Sequence, residues 1–268
     1  MLKMSALLPP GLFLDKVLDY AKVELRAECD YRQEALHQAR FQSLLRNDPD
    51  VAVPSVVPEL CTGRVLTSHM AHGVHIDQAA KAMPQDERNR VGRQLLRLTL
   101  RELFEFRFMQ TDPNWANFLY DKESRKLTML DFGAAREYDR TFIEKYLRLV
   151  MAAANRDHKA LLDVSVELGM LTGDESSSMI RAHTAAGMAI GEPFVQDEAF
   201  NFKGADMTTK VRQEAQVFAT DRLVPPPTEV YSLHRRLAGA FSTCIKLEAC
   251  IPCRDLLLEA YEKHTSSC

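Results

Sequence analysis

The 268-residue sequence predicts an α+β fold that is mostly helical. Three observations carry that expectation. Apolar residues recur at helical spacing through most of the chain. Strand-like runs are confined to two short regions, 51–67 and 118–130. Breaks rich in Gly, Pro or Asn divide the second half into segments of helical length. A hydrophobic share of 46% in a chain this long can build a sizeable core. The net charge of −3 and the lack of any Lys/Arg cluster exclude a nucleic-acid partner from the expectations. No apolar run reaches the roughly 18 residues that a membrane-crossing helix needs.

Residues 11–45 read as one long helix, entered at Pro9-Pro10. Leu14, Val17, Leu18, Ala21 and Leu25 fall at i, i+3, i+4, i+7 and i+11, an apolar stripe. Glu28, Asp30 and Glu34 lie further along, with Asp30 and Glu34 on one face at about 100° per residue. Residues 51–57 and 64–67 are short β-rich runs bounded by Asn-Asp-Pro and Cys-Thr-Gly turns. Residues 85–109 predict a second long helix. Val91, Leu95, Leu98, Leu103, Phe106 and Phe108 cover much of its circumference, so it should be buried. Further helices are expected at 140–155, 158–169, 173–191, 208–220, 229–250 and 252–263, with Thr228 as an N-cap. Six scattered cysteines are read as reduced thiols, since Cys250-x2-Cys253 lacks a second ligand pair. His69, His72 and His75 are spaced three apart on a strand-to-loop path and are not expected to converge on a metal.

The stretch that carries chemistry runs from Gln110 to Gly133 and reads QTDPNWANFLYDKESRKLTMLDFG. Phe118-Leu119-Tyr120 and Leu127-Thr128-Met129-Leu130 are apolar runs separated by a polar insert, which predicts a hairpin. Such a hairpin brings Asn117 and Asp131 together at its open end, with Asp112 close by. Two acids and an amide at a loop mouth suit Mg²⁺ bound with nucleotide phosphates, because Mg²⁺ takes hard oxygen ligands. The order and spacing match a kinase catalytic loop followed by its D-F-G turn. Asp112 would then orient or deprotonate the attacking hydroxyl, while Asn117 and Asp131 hold the metal. Asp-x4-Asn or D-F-G alone is a weak signal, since Asp and Asn abound in turns. Both together, after a long apolar helix, are specific. Trp115 and the phenylalanines near it read as core.

Leu103 to Phe118, together with Leu130-Asp131-Phe132-Gly133-Ala134, closely resembles the UbiB family of atypical kinases. Within it, the wording looks like the aarF-domain-containing members of mitochondrial coenzyme Q biosynthesis. Glu28-Cys29-Asp30-Tyr31, Arg222-Leu223-Val224-Pro225-Pro226-Pro227 and Tyr231-Ser232-Leu233-His234-Arg235 extend the resemblance, which runs from about Leu8 to Lys263. It implies a protein-kinase-like fold of the UbiB type, with a partial N-terminal lobe at 1–72 and a complete helical C-terminal lobe at 73–268. It implies ATP and Mg²⁺ as cofactors. Glu28 and Asp30 match the family's E-x-D motif, in the helix that supplies a carboxylate to the ATP-binding Lys; Glu28 and Glu34 both stand open as that carboxylate. Met70, Ala71 and His72 fall at the hinge, where backbone groups hold adenine. Relatives usually carry Glu where this chain has His69.

The function so implied is an atypical kinase or ATPase supporting ubiquinone (coenzyme Q) biosynthesis at the matrix face of the mitochondrial inner membrane. Its implied partners are ATP, the coenzyme Q biosynthesis proteins, and the membrane surface or lipid-like quinone precursors, with a homodimer among the assemblies. Two other readings stand beside it: a nucleotide-binding scaffold without turnover, and a small-molecule phosphotransferase of the aminoglycoside-kinase type, against which Phe132-Gly133 argues. The chain also departs from ordinary protein kinases. Gln110-Thr111 stands in place of His-Arg, and no Ala-Pro-Glu or long activation segment follows Gly133, so phospho-switching is not expected. No G-x-G-x-x-G or Ala-rich loop, V-A-x-K strand or K-x-G-Q segment is present, so impaired turnover is expected of these residues alone. Residues 1–5 do not read as a secretory signal or transit peptide.

Overall fold

The computed structural model describes residues 29–205 and 207–266, with positions 13, 15, 16, 18, 19, 22 and 25 ahead of them. Pro9-Pro10, Leu14, Val17, Ala21 and Glu28 lie outside the described residues. Asp30 decides where the first complete helix starts. Its backbone is extended, and its carboxylate accepts from the N–H groups of Arg32 and Gln33, satisfying two donors that a helix start leaves orphaned. Helix α1 therefore spans Tyr31–Leu44. The single helix expected over 11–45 is interrupted at Cys29 and Asp30, because a short carboxylate next to free N–H groups caps rather than continues. Asp30 consequently does not share a helix face with Glu34.

Asp48 opens the next element in a similar way, accepting from the N–H groups of Asp50 and Val51 at 2.8 Å each. Strand β1 (Val51–Ala52) follows, and the chain then doubles back through a bridge between Val56 and Ser68. Strand β2 (Val74–His75) leads into the short helix α2 (Ile76–Ala79) and the long α3 (Gln85–Phe104). Helix α3 stops before the expected end at 109. Arg107 turns into the left-handed region, and Phe108–Gln110 emerges as strand β3. Strands β4 (Phe118–Asp121) and β5 (Lys126–Met129) form the hairpin, with Phe118 opposite Met129. Strand β6 (Ala135–Glu137) returns antiparallel to β3. The larger sheet has the order β1-β5-β4-β2, with β1 parallel to β5.

Helix α4 (Arg140–Ala154) is capped by Asp139, and α5 (His158–Glu167) by Asp157. Helix α6 starts at Ser177 rather than 173 because Ser176 caps it, and runs to Gly191. After strand β7 (Phe200–Asn201), the helix expected over 208–220 is two, α7 (Met207–Gln213) and α8 (Ala215–Asp221). Helix α9 (Thr228–Lys246) takes Pro227 rather than Thr228 at its N-cap position. It ends short of 250, where Glu248 turns left-handed and Cys250–Ile251 becomes strand β8, paired with β7. Helix α10 (Arg254–Ser266) closes the described chain.

Helix α3 is the central post. Val91, Leu95, Leu98, Leu103 and Phe104 on it are buried, and α9 and α10 pack along it. Phe41, Phe104, Phe108 and Phe132 are almost fully buried, each contributing about 1.5–3 kcal/mol by leaving water. Among the described residues no helix is long and apolar enough to cross a membrane.

Candidate nucleotide site

The open end of the β4–β5 hairpin is closed by one backbone bond, from Leu130 N–H to Asn117 O at 3.0 Å. That bond sets Asn117 beside the residue preceding Asp131. Asn114 caps the single 3₁₀ turn Trp115–Asn117 by accepting from Ala116 N–H, which fixes the Asn117 backbone. Asn117 Nδ2 donates to Asp112 Oδ2 at 2.6 Å, and Asp112 Oδ1 accepts from Asn114 N–H at 3.2 Å. Across the mouth, Asp131 Oδ1 accepts from Gly133 N–H at 3.0 Å. Asp112, Asn117 and Asp131 are all half-buried. The hairpin thus unites the three residues that the spacing singled out.

Helix α1 grips the D-F-G turn through residues one and two turns apart. Phe132 N–H donates to Glu34 Oε1 at 3.4 Å, and His37 Nδ1–H donates to Phe132 O at 3.1 Å. Phe41 completes the stripe, its ring centroid 5.5 Å from that of Phe132. Gln33 Nε2 donates to His37 Nε2 at 2.7 Å, so the ring is neutral with its proton on Nδ1. Burial lowers the His37 pKa, the bond to Phe132 pulls it back up, and Arg40 lowers it again. Arg40 itself stacks over Phe108 at 4.1 Å and reaches Glu137 at 3.1 Å. That pair is exposed and contributes less than about 1 kcal/mol.

Helix α9 supports the loop from the other side. Arg235 Nε donates to Thr111 O at 3.2 Å, and Thr111 Oγ1 donates to Ala134 O at 2.7 Å. One turn on, Gly239 lies so close that a Cβ there would sit 2.1 Å from Pro113 Cβ. Further on, Lys246 Nζ stands 4.6 Å above the Trp115 ring, which is partly buried against the core. Arg236 turns inward to Glu102, with Nη2 3.0 Å from Oε2 and both side chains almost inaccessible. Gln110 is buried beside this pair, and neither of its amide atoms finds a partner among the described residues.

The remaining sequence-selected residues are less concentrated. Glu28 is outside the described residues, and the Asp30 carboxylate is taken up by the α1 cap. Met70 is 85% exposed, His72 is exposed and Ala71 half-buried. They lead into Gly73, whose φ of +123° demands glycine, as does Tyr120 O, only 2.8 Å from where a Cβ would stand. His75 Nδ1–H then donates to Ala116 O at 2.9 Å, tying this crossing segment to the loop between Asp112 and Asn117. His37 and Gly239 went unremarked in the sequence, and His75 figured there only as a member of a histidine triplet. His37 was within reach, since it shares the i, i+3, i+7 face with Glu34 and Phe41. The other two act across the fold and leave no local trace.

Comparison with known proteins identifies the family and the fold. Residues 1–165 match the ABC1 atypical kinase-like domain. The chain is 48% identical over 267 residues to the atypical kinase COQ8B, mitochondrial, of Rattus norvegicus, covering 100% of this chain and 50% of that one. It is 42% identical over 263 residues to the atypical kinase COQ8, mitochondrial, of Saccharomyces cerevisiae, covering 97% and 52%. The chain therefore spans about half the length of these curated relatives. Among solved structures, the complex of Rv3197 with erythromycin from Mycobacterium tuberculosis matches with a TM-score of 0.70 at 20% identity, over 90% of this chain and 60% of that one. The likeness is one of fold: α+β, mostly helical and kinase-like.

Proposed function

The chain belongs to the ABC1 (UbiB-type) atypical kinase family, and from that premise we propose that it binds ATP with Mg²⁺ at the mouth formed by Asp112, Asn117 and Asp131. The activity would be that of an atypical kinase or ATPase supporting coenzyme Q biosynthesis. Relatives carrying the label mitochondrial support that compartment. The matrix face of the inner membrane, the coenzyme Q biosynthesis proteins, quinone precursors and a homodimer belong to the same proposal. So does the division at 72/73, which the exposure of Met70 and His72 supports, although β1 and β5 share one sheet.

The donor set fits a hard cation. With Nδ2 committed to Asp112, Asn117 keeps its amide oxygen for another partner. Asp131 uses Oδ1 for Gly133 N–H, and among the described residues its Oδ2 has no hydrogen-bond partner. Asn117 and Asp131 would hold Mg²⁺, which supplies charge neutralisation to the nucleotide phosphates. Asp112, kept in place by Asn114 and Asn117, would orient the attacking hydroxyl or water. Met70, Ala71 and His72 would offer backbone groups to adenine. Glu34 is the described carboxylate of α1 nearest to D-F-G and would serve as the lysine partner, with Glu28 the other candidate.

The observation that carries this reading is the bond from Asn117 to Asp112 beside a D-F-G turn held by α1. Calorimetric titration of ATP with and without Mg²⁺ tests it. Asp131→Asn should weaken binding tenfold or more with Mg²⁺ and leave Mg²⁺-free binding unchanged. Equal affinity of parent and variant in Mg²⁺ would remove Asp131 from the metal site.

A further inference from the structure

Two sequence runs, Arg222–Pro227 and Tyr231–Arg235, are only partly used by the nucleotide mouth. Arg235 faces the catalytic loop, whereas its neighbour His234 lines a separate cavity of about 350 Å³. Arg222 lines the same cavity. The walls come from α4, α5, α6, α7, α8 and α9 and are mostly apolar, with Leu149, Leu161, Ile190, Leu237, Phe241 and Ile245 among them, while Arg212 of α7 is a second arginine of the lining. This volume lies at the small end of ligand pockets. It suits one short chain rather than a two-chain lipid.

One end of the cavity is polar and electrostatically unbalanced. His183 Nε2–H donates to Ser165 Oγ at 2.8 Å, because that hydroxyl gives its own proton to Leu161 O. Burial brings His183 and His234 down to about 4, so both are neutral near pH 7. Arg222 is the cation beside these two imidazoles, its guanidinium 4.8 Å over the Phe218 ring. Arg222 Nε and His234 Nε2 are both shielded from solvent, and neither has a hydrogen-bond partner among the described residues. The carboxylates nearby are engaged elsewhere. Asp221 accepts from Ser178 and Thr220, and Glu175 from Thr172 and Gly173. A half-buried guanidinium whose shielded Nε meets neither water nor an anion is costly, and the orphaned His234 nitrogen beside it adds to that cost.

The requirement on a ligand follows from both ends together. A neutral lipid would fill the walls but leave Arg222 uncompensated. A quaternary ammonium amphiphile would add a second positive charge. Inorganic phosphate would meet Arg222 yet leave the apolar walls empty. We infer that this cavity is a binding site for a monoanionic single-chain amphiphile, its carboxylate-type head at Arg222 and His234 and its tail along Leu161, Ile190, Leu237 and Phe241. The site is distinct from the nucleotide mouth and does not depend on the reading given to that mouth.

The test uses decanoate, decan-1-ol and decyltrimethylammonium as probes, each below its micelle concentration, titrated calorimetrically into the nucleotide-free protein. Decanoate should bind saturably at one site and at least tenfold more tightly than the other two. Arg222→Met, which keeps the aliphatic stem, should lose that tenfold preference while decan-1-ol binding stays unchanged. Ala186→Phe, which projects a ring into the cavity, should abolish decanoate binding and leave Mg²⁺–ATP affinity at the parent value. Equal affinity for the three probes, undiminished decanoate binding by Arg222→Met, or unaltered binding by a folded Ala186→Phe protein would each overturn the assignment.

Discussion

Asn117 gives a side-chain proton to Asp112 across 2.6 Å, so one amide both restrains the acid and points its own oxygen away from it. If Asp112 orients the attacking group, Asp112→Asn removes the acceptor charge but keeps the shape. Turnover should fall about a hundredfold or more, with Mg²⁺–ATP affinity within about twofold of the parent. Steady-state ATPase rates beside calorimetry read the two effects separately. Turnover at the parent rate would leave Asp112 the structural task of capping Asn114.

Gly239→Ala sets two effects against each other. In a free helix alanine gains up to about 1 kcal/mol over glycine. Here the new Cβ would lie 2.1 Å from Pro113 Cβ and 2.9 Å from Pro113 Cα, and a backbone atom cannot swing aside. Overpacking of this kind costs about 1–3 kcal/mol, so packing wins. The variant should melt several degrees lower and lose kcat more than nucleotide affinity, since Pro113 adjoins Asp112. An unchanged Tm would show that α9 and the loop separate freely.

The pair Glu102–Arg236 should behave as a buried unit. Burial raises the Glu102 pKa, against the attraction of Arg236. Arg236→Met leaves that carboxylate without its cation and should cost about 3–5 kcal/mol in urea unfolding. Adding Glu102→Leu should recover most of the loss, because no charge then remains buried. A double variant as unstable as the sum of the singles would contradict the coupling.

His183 gives a pH dependence with a defined sign. Burial is the main cause of its lowering to about 4, with Arg222 pushing the same way and Glu175 opposing. The unfolded ring titrates near 6.5, so between roughly pH 6.5 and 4 the unfolded state binds more protons. Stability should therefore be full above about 6.5 and decline on acidification through that window, by at most about 3 kcal/mol from this group. His234, also near 4, acts in the same window. His183→Gln should flatten part of the slope measured by urea unfolding at pH 7 and pH 5. An identical slope in the variant would assign the loss to other groups.

What could be read in advance follows the range of the interactions. The hairpin was legible to within a residue at each strand because short continuous apolar runs and an Asp-to-Lys polar insert are local signals. Asp112, Asn117 and Asp131 were legible for the same reason. The break at Asp30 was local too, but the apolar stripe before it outweighed a single capping residue. Strand β8 escaped notice because two residues paired to Phe200–Asn201 have no periodicity of their own. The contacts of His37 with Phe132 and Arg235 with Thr111 join residues 95 and 124 positions apart. No spacing rule reaches that far.

Phe132 is fastened at its N–H, its carbonyl and its ring by three residues of one helix. A peptide held in this manner resists the crankshaft rotation that swings such a phenylalanine outward. A ligand that enters the vacated phenylalanine pocket must first strip Glu34, His37 and Phe41 from Phe132 together. Compounds that occupy the mouth with Phe132 left inside meet no such barrier.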